Sequence, residues 1–181
     1  QIISIVKLQR DEDLDIKEEN LSEVVLDLVD DYKEKAGKKG LKWQETKRPE
    51  VKILVKKRDF QQALEALLDN ALKFTDKGAL KLQYFLSEAK NKVKSQSNND
   101  KYLIIKVEDT GKGIDTVTKR HMFESFIQQG GALGRDEKKG GLGLGLYYVK
   151  LAINRMGGEV WFESKEGKGS SFSISIPLAE L

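Results

Sequence analysis

Phe60, Ala63, Leu64, Leu67, Leu68, Ala71 and Leu72 recur at i, i+3, i+4, i+7, i+8, i+11 and i+12. That spacing draws one apolar stripe along an α-helix and cannot line one side of a strand. It predicts a helix from about Asp59 to Thr75 whose broad apolar side must be covered by other elements. Asp76-Lys-Gly78 stops it. A second helix is predicted after Asn20, where Asn20 and Glu23 form a capping-box-like start and Leu21, Val24, Val25, Leu28, Val29 and Tyr32 share one side until Gly37 and Gly40.

Alternation marks the strands. Leu41–Thr46 and Val51–Lys57 read as two strands joined by a turn containing Pro49, a predicted hairpin. Leu80, Leu82, Tyr84 and Leu86 alternate, and Tyr102–Glu108 is a β-branched apolar run. Between them the polar stretch from Ser87 to Asp100 has no periodicity and reads as a long, mobile hairpin connection. Asp115 can cap a helix running to about Phe126, Leu144–Met156 reads as a helix stopped by Gly157-Gly158, and Val160–Glu163 with Ser170–Pro177 form a closing pair. Ile2, Ile3, Ile5, Val6 and Leu8 fit the end of a helix or an N-terminal strand, and 10–15 a charged linker. Hairpins interspersed with helices predict an α+β two-layer sandwich, helices on one face of a mixed sheet.

A chain of 181 residues supports one buried core and hardly two, so one domain is expected. With 32 basic against 29 acidic residues the net charge is +3, too small and too dispersed for a nucleic-acid partner. No cysteine is available for a disulfide or a thiolate metal site, and the single histidine, His121, argues against zinc. No apolar run is long enough to span a bilayer and no signal peptide is visible, so a cytoplasmic location without membrane contact is expected.

The chemistry concentrates in three places. Asp109-Thr-Gly-Lys-Gly-Ile114 puts a carboxylate where a strand gives way to a glycine turn. An ionised Asp only accepts hydrogen bonds, so an amino group such as that of adenine suits it, and Gly111 and Gly113 permit close approach of a flat ring. An Asp-x-Gly sequence is also an ordinary turn. On the stripe-bearing helix, Ala66, Asn70 and Lys73 fall on one side. The Asn70 amide oxygen suits Mg²⁺ and Lys73 a phosphate, although an exposed Asn and Lys on a solvated face would look the same. Gly140-Gly-Leu-Gly-Leu-Gly-Leu146 sets alternating glycines directly before a helix, a phosphate cradle in outline or a flexible hinge. It is neither a Walker A loop nor a dinucleotide fingerprint.

Order and spacing of these pieces resemble the ATP-binding catalytic domain of sensor histidine kinases, within the superfamily that also holds gyrase, a heat-shock chaperone and mismatch-repair ATPases. Leu67–Thr75 is similar to the N box, Asp109–Gly113 to the first glycine box, Phe123-Glu-Ser-Phe126 to the F box and Gly141–Gly145 to the second glycine box. Gly157–Ser164 and Gly167–Phe172 are similar to the closing strands, and the match runs from about Leu14 to Leu178. The resemblance implies a Bergerat fold, a mixed and largely antiparallel sheet. It implies ATP and Mg²⁺ as ligands, with 1–13 ending a dimerisation helix, 14–181 forming the catalytic domain and about 127–142 forming its lid.

Residue by residue, it implies that Asp109 takes the adenine amino group, with Gly111, Gly113 and Ile114 close to the base and Phe74 near the purine. Asn70 would hold the metal and act with Lys73 on the phosphates. Gly141, Leu142, Gly143, Leu144 and Gly145 would serve the phosphates and hinge the lid, whose start Phe123 and Phe126 would anchor. The implied activity is transfer of the γ-phosphoryl group to a histidine on upstream dimerisation and phosphotransfer helices, with a response-regulator receiver domain downstream. Whether the parent protein is membrane-anchored stays open.

Three features depart from the family pattern. The position four before Asn70, commonly Asn in the kinases and a catalytic Glu in ATPase relatives, is Ala66, and neighbouring Glu65 points about 100° away on a helix. The position two before Phe123, often a phosphate-facing Arg, is His121, which reads as a surface or lid residue. The connection from Ser87 to Asp100 has no assignment. Ala66 keeps a second reading alive, a nucleotide-binding interaction module without transfer.

Overall fold

The computed structural model describes Ile5 and residues 15–88, 101–124 and 144–179. The remainder of 1–14, the connection 89–100, Phe126 and the predicted lid 127–142 lie outside these residues. The chain forms β1 (Lys17–Asn20), α1 (Leu21–Lys38), β2 (Lys42–Glu45), β3 (Lys52–Val55), α2 (Lys57–Phe74), β4 (Ala79–Ser87) and β5 (Tyr102–Asp109). Then follow α3 (Thr116–Arg120), α4 (Gly145–Arg155), β6 (Val160–Lys165) and β7 (Gly169–Pro177).

The apolar stripe is the centre of the helical layer. Phe60, Ala63, Leu64, Leu67 and Leu68 on α2 are each 0% exposed. Full burial of such an aliphatic or aromatic side chain is worth about 1.5–3 kcal/mol, so α2 carries a large share of the core. It packs against α1, α4 and β5. At its start α1 is capped by Asn20, whose side chain accepts from Ser22 N at 3.0 Å. Ile5 is also buried in this core.

Five strands form the sheet in the order β2-β4-β5-β7-β6. Only β2 and β4 run parallel; the other neighbours are antiparallel. The predicted pairs β4–β5 and β6–β7 are present, but the predicted hairpin of 41–46 with 51–57 is not. Instead β2 lies parallel to β4, with Trp43 opposite Leu80, while β3 pairs antiparallel with β1 in a separate two-stranded sheet. Parallel neighbours need a long crossover. The segment through Pro49, β3 and α2 is that crossover, and Thr46 N→Leu82 O at 3.0 Å continues the parallel pairing beyond β2. The strand β1 was absent from the sequence reading because Lys-Glu-Glu-Asn offers no apolar alternation.

Two further expectations are corrected. Leu86 does not join the inward row of β4, being 57% exposed. The helix after Asp115 stops at Arg120, because His121 leaves helical geometry and its N–H returns to Thr118 O. Phe123 nevertheless meets the sheet, edge-on to Phe162 at 5.7 Å between ring centroids.

Candidate functional site

Side chains of a strand alternate between faces. Leu103, Ile105 and Val107 of β5 point into the helical layer, each at most 2% exposed, and Asp109 is the next member of that row. A carboxylate thus occupies what would be a core position, and it is 7% exposed. Burial pushes its pKa above the ordinary carboxylate value, and Glu108 adds to the rise. The Gly111 N–H, 2.8 Å from Oδ1, and the backbone of Ser170 oppose the rise as donors, and the nearby Thr75 side chain acts in the same direction. Ser170, directly opposite Asp109 on β7, is itself buried and continues the inward row of Phe172, Ile174 and Ile176.

The end of α2 is brought to this carboxylate by backbone contact. A Cβ on Gly111 would stand 2.2 Å from the Phe74 carbonyl oxygen and 2.8 Å from Asp109 Oδ1, so only glycine lets the two segments meet. The last helical carbonyls find donors from elsewhere, Leu72 O from Lys39 Nζ at 2.6 Å and Phe74 O from Lys112 N at 3.4 Å. Phe74, 36% exposed, then stands at the rim with the ammonium groups of Lys73 and Lys112 at 5.2 and 5.0 Å from its ring centroid. No carboxylate among the described residues pairs with either lysine. Asn70, one turn earlier on α2, is half-buried.

The glycine turn is held on its other side by the β6–β7 connection. Gly113 has φ +69°, and a Cβ there would lie 2.2 Å from Lys165 O. Gly167 N donates to Lys112 O at 2.7 Å, and Ser164 Oγ accepts from Ile114 N at 2.9 Å while donating to Gly169 O. Protein backbone therefore demands glycine at 111 and 113 even before any ring is considered.

Leu144, buried, immediately precedes α4 and offers no side-chain cap to it, and α4 packs along α2. Tyr148 Oη donates to Asp59 at 3.4 Å, placing this first turn of α4 beside the start of α2, about three turns from Asn70. Gly141, Leu142 and Gly143 lie outside the described residues. The structure thus brings Asp109 and Gly111 against Phe74 at the end of α2, the helix that carries Asn70 and Lys73, and ties Gly113 and Ile114 to the β6–β7 connection on the other side of the turn.

Residues 55–180 match the family described as histidine kinase-, DNA gyrase B- and HSP90-like ATPase. The chain belongs to that family. It is 36% identical over 118 residues to sensor protein GacS of Pseudomonas syringae pv. syringae, covering 65% of this chain and 12% of that protein. To sensor histidine kinase RcsC of Escherichia coli K12 it is likewise 36% identical over 118 residues, 65% of this chain and 11% of that protein. The chain thus spans a small fraction of the relatives it matches. Full-length ShkA, solved in complex with AMPPNP, superposes with a TM-score of 0.74 at 23% identity, over 99% of this chain and 35% of that one. The fold is the Bergerat fold, and the chain is an ATP-binding catalytic domain of the kind sensor histidine kinases carry.

Within this family the departures take on physical form. Ala66 is buried and brings no functional group, while Glu65 is exposed on another side of α2. A water-activating carboxylate is therefore not set beside Asn70 from this turn. His121 is exposed and pairs with Glu124 at 2.9 Å, a surface contact as expected. The sequence reading missed Thr75, Ser164, Ser170 and Lys112. For Ser170 a signal was present, since it shares the parity of Phe172, Ile174 and Ile176; the others are set beside the glycine turn only by the tertiary arrangement. No helix among the described residues is long and apolar enough to cross a membrane.

Proposed function

We propose that this domain transfers the γ-phosphoryl group of ATP to a histidine on dimerisation helices of its parent protein, with a response-regulator receiver domain as the next acceptor. The observation that carries the reading is the buried Asp109 carboxylate meeting, through Gly111 and Phe74, the end of the helix that bears Asn70 and Lys73. That arrangement supplies an acceptor for the adenine amino group within reach of an amide and an ammonium suited to metal and phosphate.

Asn70 fits Mg²⁺ of the kind that arrives with a nucleotide. Among the described residues no three His, Cys, Asp or Glu side chains converge into a cage, and Mg²⁺ commonly takes one or two protein ligands beside phosphate oxygens and water. When bound, the ion would neutralise charge on the phosphates. Lys73 would add a positive charge there, Phe74 would flank the purine, and Gly141–Gly145 would present N–H groups at the start of α4. The accepting imidazole nitrogen would form the new P–N bond as the bond to the β-phosphate oxygen breaks and ADP leaves. The domain's part is positioning and charge stabilisation.

Incubating the chain with the dimerisation helices of its parent and γ-labelled ATP tests this. Label on histidine that disappears with Asn70→Ala supports transfer. A second reading, a nucleotide-binding module that docks partners without transfer, is favoured by Ala66; ATP binding without any label on the helices would select it.

A further inference from the structure

Thr75 is 0% exposed, and its hydroxyl makes no hydrogen bond of normal geometry among the described residues. A buried polar atom left in that condition costs stability, so its position asks for an explanation. Thr75 is the cap residue that leaves α2 in extended geometry, directly after the Phe74 carbonyl that stands against Gly111 and Asp109 Oδ1. A Cβ on Gly111 would lie 2.2 Å from Phe74 O and 2.8 Å from Asp109 Oδ1, and this junction sets Thr75, the residue after Phe74, beside the Asp109 carboxylate.

We propose that Thr75 is a positioning residue for Asp109: its hydroxyl and the Gly111 N–H hold the carboxylate from two sides, leaving a lone pair aimed at the exocyclic amino group of the purine. The inference rests on the reading of Asp109 as the base acceptor and adds to it the group that orients that acceptor. A carboxylate gripped by one donor alone can turn about its terminal torsion, which is broad. With a second donor on the other element the orientation is fixed before the base arrives. The same donor favours the ionised form, against the burial and the neighbouring Glu108 that oppose it. Around Asp109 the other contacts are neutral, Gly111 in the turn and Ser170 on β7, while the Lys112 ammonium is spent on the Phe74 ring.

The test is calorimetric titration of ATP and of purine riboside triphosphate, which lacks the 6-amino group, at a series of pH values between about 5 and 8. Wild type, Thr75→Val, Thr75→Ser and Asp109→Asn are compared, and ratios to wild type cancel the titration of the nucleotide itself. Thr75→Val keeps the shape and removes the hydroxyl. It should bind ATP about threefold to tenfold more weakly at pH 8, as expected when an orienting contact is lost while the base contact itself remains. The deficit should widen on acidification, because a carboxylate deprived of a donor protonates at higher pH. Thr75→Ser should restore wild-type affinity, and purine riboside triphosphate should show little difference between wild type and Thr75→Val.

A deficit independent of pH, or equal for both nucleotides, would overturn the positioning role and leave packing as the whole effect. If Thr75→Val does not fold, Thr75→Ala read over the same pH series decides in its place. If Asp109→Asn binds ATP as wild type does, the base-acceptor reading itself falls. A weakened Asp109→Asn beside an unaffected Thr75→Val sinks the present inference alone.

Discussion

Asp109→Asn should separate binding from stability, because the two depend on the carboxylate with opposite sign. The substitution keeps a carbonyl oxygen for the Gly111 N–H, now at 2.8 Å from Oδ1. Its amide nitrogen, however, presents a donor where the adenine amino group also donates. The loss of a charge-assisted hydrogen bond is worth about 1.5–3 kcal/mol, so the ATP dissociation constant should rise about tenfold to a hundredfold. Stability should move the other way. Burial holds the Asp109 pKa above its unfolded value, so the ionised side chain disfavours the folded state at neutral pH. That penalty is present above the folded pKa and fades as pH falls through it and then through the unfolded value. The nucleotide-free variant should therefore melt at or above the wild-type temperature at pH 7, and the gain should shrink toward pH 4. Titration calorimetry and thermal melts monitored by circular dichroism read the two quantities. Undiminished ATP affinity would refute the base contact, and a melting temperature many degrees lower at pH 7 would show that the carboxylate serves the fold.

Gly113→Ala places a Cβ at φ +69° and 2.2 Å from Lys165 O, and should destabilise the chain by about 2 kcal/mol or more in urea unfolding. Asn70→Ala should abolish the dependence of nucleotide affinity on Mg²⁺ while leaving the melting temperature within a few degrees, since Asn70 is half-buried at the edge of the stripe; titrations with and without chelator give the comparison. Tyr32→Phe removes the hydroxyl that donates to Asp69 across the α1–α2 contact and should cost about 1 kcal/mol of unfolding free energy without changing ATP affinity. Because burial, joined by Asp69, keeps the Tyr32 phenol neutral far above its ordinary titration range, that loss should stay constant from pH 6 to 9.

Much of this was legible in the residues because it is local. The stripe from Phe60 to Leu72 could only be a helix with one buried side, and the glycine turn after Tyr102–Glu108 could only follow a strand. Pairing was less legible. Leu41–Thr46 and Val51–Lys57 look like a hairpin because they are adjacent and alternate, yet Trp43 finds Leu80 across a crossover that no short-range pattern encodes. The strand Lys17–Asn20 is held by its backbone pairing with β3 and carries no apolar mark. At the site, Asp109, Asn70 and Lys73 stood out by residue type and spacing. Thr75 and Ser164 did not, since a threonine after a helix and a serine at a strand end acquire meaning only from what the fold sets opposite them.

The inward row of β5 runs Leu103, Ile105, Val107 and then Asp109. On the proposed reading, a purine that brings its own amino group completes this layer as a final aromatic side chain would, so the ligand is in part a detachable piece of the core. Folding and occupancy are then linked by mass action: at a hundredfold excess over its dissociation constant ATP would add about 2.7 kcal/mol to the stability of the domain. A cell that drains its nucleotide pool would loosen this protein as well as starve it of substrate.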